Sequence, residues 1–113
     1  MIEKEFEKRN KKFVKKMSKN ESLKKLSNKW MMESSLDENS YHFRWLGLPI
    51  IQFPQDIVGL QEIIWKIKPD LIIETGIARG GSLIFSASML QLIGKGSVLG
   101  IDIDIRKENK EKI

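Results

Sequence analysis

Apolar residues between positions 2 and 17 (Ile2, Phe6, Phe13, Val14 and Met17) share one face of a 3.6-residue period, with lysines on the other face. Leu23, Leu26 and Trp30 continue in similar fashion after a polar break at Ser18-Lys19-Asn20. The pattern predicts two short amphipathic helices or one interrupted helix. Residues 33–40 are polar and serine-rich, which predicts a loop. From Tyr41 the period changes to two. Tyr41, Phe43 and Trp45 alternate, as in an extended segment with one buried face. Pro54 then suits the first turn of a helix, where its missing N–H costs nothing, and Asp56 favours the positive end of the same helix. Ile57, Leu60, Ile64 and Ile67 would share its buried face, and Lys66, Lys68 and Pro69 mark its end.

Leu71-Ile72-Ile73 is apolar without alternation, as expected for a strand covered on both faces of a parallel sheet. A glycine turn follows, Gly76 to Gly81, and then an uncharged stretch from Gly81 to Ile93. That stretch predicts a largely buried helix, with Ser82, Ser86 and Ala87 allowing close approach to the sheet and Gly94 and Gly96 providing the exit. Ser97 to Ile103 predicts a second strand, and Arg106 onward the exposed start of another helix. The fold class is therefore α/β: a Rossmann-like parallel sheet, truncated after its second strand and preceded by an α-helical arm. The expected division is a basic arm over residues 1–40 and the first half of a nucleotide-cofactor domain over residues 41–113.

Charge sharpens this division. Residues 1–30 hold eleven Lys/Arg against four Asp/Glu, and the rest nine against eleven, so the net +5 of the chain belongs to the arm. Such an arm invites nucleic acid or an anionic membrane surface. Glutamates at 3, 5 and 7 and a polar face poor in aromatics favour a solvated helix face instead. Nucleic acid is not expected as a partner, and transient membrane contact is the minor option. With no cysteine and one histidine, disulfides, thiolate metal sites and a Ser-His-Asp triad fall away, and a reducing, cytoplasmic setting is the default. No apolar run approaches the ~20 residues of a membrane span. His42 reads as a surface residue and Asp104 as a helix N-cap.

The chemistry concentrates in the turn. Gly76 allows a sharp exit from the strand, and Gly80-Gly81 lets backbone approach a ligand where free N–H groups favour an anion. Dinucleotides and S-adenosylmethionine both use such a turn. The dinucleotide fingerprint asks for glycine at its first, third and sixth positions, here Gly76, Ala78 and Gly81. Ala78 places a methyl group where a pyrophosphate would come. Glu74 would sit badly beside a pyrophosphate but well beside the cationic amino acid end of the methyl donor. The balance tilts towards a methyltransferase.

The run from Trp45 to Asp56, the segment Pro69 to Ser82 and the strand end Gly100 to Arg106 together resemble the cephalosporin hydroxylase family, whose fold is that of class I S-adenosylmethionine-dependent methyltransferases. The turn is also similar to that of catechol O-methyltransferases. The resemblance implies an O-methyltransferase acting on a hydroxyl of a small molecule, sugar or glycolipid. It implies that Gly76, Gly80 and their neighbours Ala78 and Gly81 shape the cofactor loop, and that Ser82 binds the methionine carboxylate. Asp102 would grip the ribose hydroxyls, Ile103 would lie against the adenine, and Glu74 would order the loop near the methionine amine. Arg79 and Leu48 depart from the family pattern, which more often has His at the first and a basic residue at the second. Related enzymes hold a divalent metal such as Mg with carboxylates after later strands; no residue here is a metal ligand by that correspondence, and none is assigned as a catalytic base. Two parallel strands leave an apolar edge and face uncovered, so a homo-oligomer is expected and the 113-residue chain alone is expected to lack turnover. A non-catalytic nucleotide-binding or interaction fragment is the alternative, and an NAD-dependent oxidoreductase a more distant one.

Overall fold

The chain forms two compact units, residues 1–37 and 38–113, seen in a computed structural model that describes residues 2–113. The first is a pair of helices, α1 (Ile2–Ser18) and α2 (Glu21–Leu36). The break between them has a local cause. Asn20 takes an extended conformation and its side chain accepts the Leu23 N–H at 3.0 Å, which caps α2. Neither helix buries a residue, so the apolar stripe of α1, Phe6 and Phe13 included, stays exposed. Residues 33–36, expected as loop, belong to α2. Ser34 and Ser35 donate their hydroxyls back to the Met31 carbonyl, a bond that lets serine remain in a helix. Asn39–Tyr41 then forms a short 3₁₀ turn.

The second unit begins with a hairpin of β1 (Arg44–Trp45) and β2 (Leu48–Pro49), antiparallel, with Trp45 opposite Leu48. Its two turn residues, Leu46 and Gly47, both have positive φ, which matches the twist of a two-residue hairpin. The alternating segment is thus shorter than its pattern predicted: Tyr41 lies in the 3₁₀ turn and is exposed, while Phe43 and Trp45 pack against the core. Helix α3 (Pro54–Ile67) follows, with Pro54 in its first turn and Lys68 as a left-handed C-cap. Of its expected buried face, Ile64 is buried, Ile57 and Leu60 are partly so, and Ile67 is exposed.

Strands β3 (Leu71–Thr75) and β4 (Ser97–Ile101) pair in parallel with α4 (Gly81–Ile93) between them in sequence, and α5 (Lys107–Lys112) follows. The architecture is mixed α/β, with one antiparallel and one parallel two-stranded sheet. The core is Ile50, Ile64, Phe85 and Leu90, so hairpin exit, α3 and α4 meet at one point. Phe85 is 1% exposed, and burial of such a ring contributes roughly 2–3 kcal/mol. Trp45 meets it edge to face, with ring centroids 4.9 Å apart, and donates its Nε1–H to Ser88 Oγ at 3.0 Å.

Several expectations need correction. β3 is not covered on both faces: burial alternates along it, and Leu71 and Ile73 are 52% and 58% exposed. The apolar run cannot tell a doubly covered strand from one whose second face stays open. β4 ends at Ile101, two residues early, because Asp102 leaves the ladder to bond elsewhere. In α4 Ser86 is buried but Ala87 is exposed; Gly81 packs tightly on the hairpin, where an added Cβ would lie 2.2 Å from the Pro49 carbonyl oxygen. Asp104 is not a cap. Arg106 holds that position in α5, and the Asp104 N–H donates to Asp102 Oδ1 at 3.1 Å. Nor is α5 wholly exposed, since Asn109 is buried at 5% exposure.

Candidate functional site

Level strand ends assemble the site. Glu74 stands opposite Gly100 and Thr75 opposite Ile101, and the Gly76 N–H extends the ladder by donating to the Ile101 carbonyl at 2.8 Å. Glu74, at the end of β3, and Asp102, just past β4, therefore flank the turn. Gly76 has φ +78° and open space around its missing Cβ, so backbone conformation alone calls for glycine there. The turn then closes with a Gly80 N–H to Ile77 carbonyl bond of 2.7 Å. Ala78, inside it, has φ +44°, a region that a residue with a Cβ enters at a cost of about 1 kcal/mol. Gly80 is the N-cap of α4, whose first N–H groups lack intrahelical acceptors and point into the turn region. A Cβ on Gly100 would meet Ile77 Cγ2 at 2.8 Å, so this glycine lets the turn lie on β4.

Asp102 binds the turn from the side. Its Oδ2 accepts the Ile77 N–H at 2.9 Å and its Oδ1 the Asp104 N–H. The Asp104 bond first, and the Ile77 bond next, hold the carboxyl below its usual range; desolvation opposes them, and the Ile103 and Ala78 backbone N–H groups add to them. The group is thus an anion at neutral pH. Ile103 next to it is fully exposed. Across the turn, Ser82 Oγ donates to Glu74 Oε1, so these two site residues are partners of one another.

A cleft of about 630 Å³ opens beside the turn, a size suited to a cofactor or drug-sized ligand. Glu74, Gly76, Ala78, Gly81 and Ser82 line its polar end, and Leu60, Ile64 and Ile72 its apolar wall. Asp102 and Ile103 do not line it. Among the described residues no group of three or more His, Cys, Asp or Glu could hold a metal ion, and no helix is long and apolar enough to cross a membrane. His42 is exposed.

One contact at the turn had no counterpart in the sequence pattern. Asn109 of α5 reaches back 31 residues, its Nδ2 donating to the Ala78 carbonyl at 2.6 Å. Its single signal in the sequence is that it is the one uncharged residue between Arg106 and Lys112.

The chain is 37% identical over 60 residues to a rhamnosyl O-methyltransferase of Mycobacterium leprae (strain TN), a stretch covering 52% of this chain and 26% of that protein. The match thus spans about a quarter of that relative's length. No solved structure matches significantly. The family model described as Rhamnosyl O-methyltransferase/CmcI matches residues 37–113, most of the chain and all of the candidate site, and the chain belongs to that family.

Proposed function

We propose that this chain binds S-adenosylmethionine at the turn between β3 and α4, in a Rossmann-like arrangement, and serves methyl transfer to a hydroxyl of a sugar or glycolipid. The observation that carries the reading is the placement of Glu74, one residue before the end of β3, and Asp102, one residue past the end of the adjacent parallel β4, on either side of a glycine turn that opens an uncharged helix. The residues fit the group. The Asp102 carboxylate is ionised, and an anion accepts hydrogen bonds from ribose hydroxyls. Ile103 offers an exposed apolar surface to an adenine. The N-terminus of α4, with Ser82 in its first turn, suits a carboxylate. Glu74 would exchange its bond from Ser82 for one from an ammonium, releasing the Ser82 hydroxyl to that carboxylate.

When bound, the cofactor supplies an electrophilic methyl group on a sulfonium. The chain's own contribution is positioning, since an acceptor oxygen held in line with that methyl reacts far faster than one in free solution. Membership of a family described by a rhamnosyl O-methyltransferase supports a sugar hydroxyl as acceptor. Isothermal titration of the 113-residue chain with S-adenosylmethionine, with NAD in parallel, tests the cofactor. Saturable binding of the methyl donor alone is the expected result. Asp102→Ala and Ser82→Ala should each weaken it about tenfold or more, the loss of a charge-assisted or neutral hydrogen bond at a ligand. Unchanged affinity in both variants would remove the site assignment.

A further inference from the structure

We infer that Asn109 is a positioning residue of the ligand turn: its amide holds the Ala78 carbonyl and so keeps Ala78 in the left-handed conformation that the turn requires. This rests on the S-adenosylmethionine reading above for its functional consequence, though not for its conformational one. Four observations converge on it. Ala78 is a non-glycine residue at φ +44°, so its conformation needs an external hold. Its carbonyl receives the Asn109 Nδ2–H at 2.6 Å, from a residue only 5% exposed in an otherwise exposed, charged helix. Ile113, one helical turn beyond Asn109, packs where a Cβ on Gly80 would be, 2.5 Å from Ile113 Cδ1. On the other side of the same turn Asp102 holds the Ile77 N–H.

The turn is therefore gripped at Ile77, Ala78 and Gly80 by residues that come after β4. A buried amide bonded to a backbone carbonyl is suited to this work. It is uncharged, so burial costs little once the bond is made, and it donates to a single acceptor whose direction depends on the backbone angle of Ala78. Lysine or glutamate, its neighbours in α5, would carry a charge into the same buried place. With the tether gone, Ala78 is free to relax to negative φ. The 77–80 turn bond would then be lost, and the N–H groups that face a ligand would no longer converge.

The test uses the 113-residue chain and the variants Asn109→Ala, Ala78→Gly and their combination. Two measurements are made on each: amide hydrogen exchange at Ile77 and Gly80, and affinity for S-adenosylmethionine. Asn109→Ala should speed exchange at both amides and weaken affinity about five- to tenfold, the scale of one buried hydrogen bond. In the Ala78→Gly background the same change should cost less than about twofold, because glycine adopts positive φ without a tether. That rescue separates positioning from a general loss of stability. Unaltered exchange at both amides in Asn109→Ala would overturn the inference. An equal affinity loss in the two backgrounds would also overturn it. Altered exchange in a chain that binds no S-adenosylmethionine would leave the tether standing and remove the cofactor reading.

Discussion

Asp102 Oδ2 accepts the backbone N–H of Ile77 at 2.9 Å, and this bond joins the end of one parallel strand to the turn leaving the other. The acid thus organises the turn before any ligand arrives. The carboxylate is oriented by the backbone N–H groups of Ile77 and Asp104.

Acid should loosen this arrangement. The Asp102 carboxyl is held below the ordinary aspartate value, chiefly by the Asp104 N–H and then by Ile77. A depressed folded-state value means that its contribution is complete above the unfolded pKa and is lost as pH falls through the lower folded one. Asp70 is shifted the same way by its 2.8 Å bond to Lys95 and adds a second, solvent-screened component. Unfolding midpoints measured between about pH 5 and 2 should fall more steeply in the native chain than in Asp102→Asn, with some slope left from Asp70.

Gly81 and Gly76 should respond differently to alanine. At Gly81 a Cβ would meet Pro49 backbone at 2.2 Å and Ile50 Cα at 2.8 Å, atoms that cannot step aside without moving β2. Gly81→Ala should therefore cost about 3 kcal/mol, despite the better helix propensity of alanine. Gly76→Ala meets no atom within 4 Å and should cost only its φ strain, about 1–2 kcal/mol. Denaturant midpoints of the two variants give the comparison, and an equal loss would mean that β2 does not press on α4.

The indole of Trp45 should contribute in two separable ways. Trp45→Phe keeps an edge-on ring against Phe85 but loses the Nε1–H bond to Ser88, at about 1 kcal/mol. Ser88→Ala removes the same bond from the other side. A double-mutant cycle should return a coupling of about 1 kcal/mol, whereas zero coupling would mean that the bond is replaced by water in solution.

Ala78→Gly supplies the glycine that a dinucleotide turn needs at its third position, between Gly76 at the first and Gly81 at the sixth. The change relieves positive-φ strain but frees the unfolded chain, two effects of similar size, so stability should stay within about 0.5 kcal/mol. Affinity for S-adenosylmethionine should be kept and that for NAD should rise. If NAD binding is unchanged, the Ala78 methyl is not what excludes a pyrophosphate.

Much of this unit was legible in the residues because its signals are local. Pro54 at the start of α3, the lysines at its end, and Gly80 and Gly94 on either side of α4 each act within one helical turn, and each stands where its chemistry predicted. The strand–turn–helix–strand order, the positive φ of Gly76 and the position of Glu74 just before the turn follow from the same short-range rules. Period was a weaker guide where polar side chains satisfy backbone locally. Residues 33–36 are helical, their serine hydroxyls bonded back to Met31, and Tyr41 leaves the alternating segment for a 3₁₀ turn.

Only the tertiary structure decided which contacts join distant segments. Asn109 on Ala78, 31 residues apart, and Trp45 on Ser88, 43 apart, depend on how β3, β4 and α4 bring their ends together. The same holds for the open second face of β3, which the run Leu71-Ile72-Ile73 cannot reveal, because an apolar side chain has the same local preference whether or not something covers it. Local preference chose the elements and put the chemistry at their ends. The meeting of those ends, a matter of distance in space rather than along the chain, chose what holds the turn.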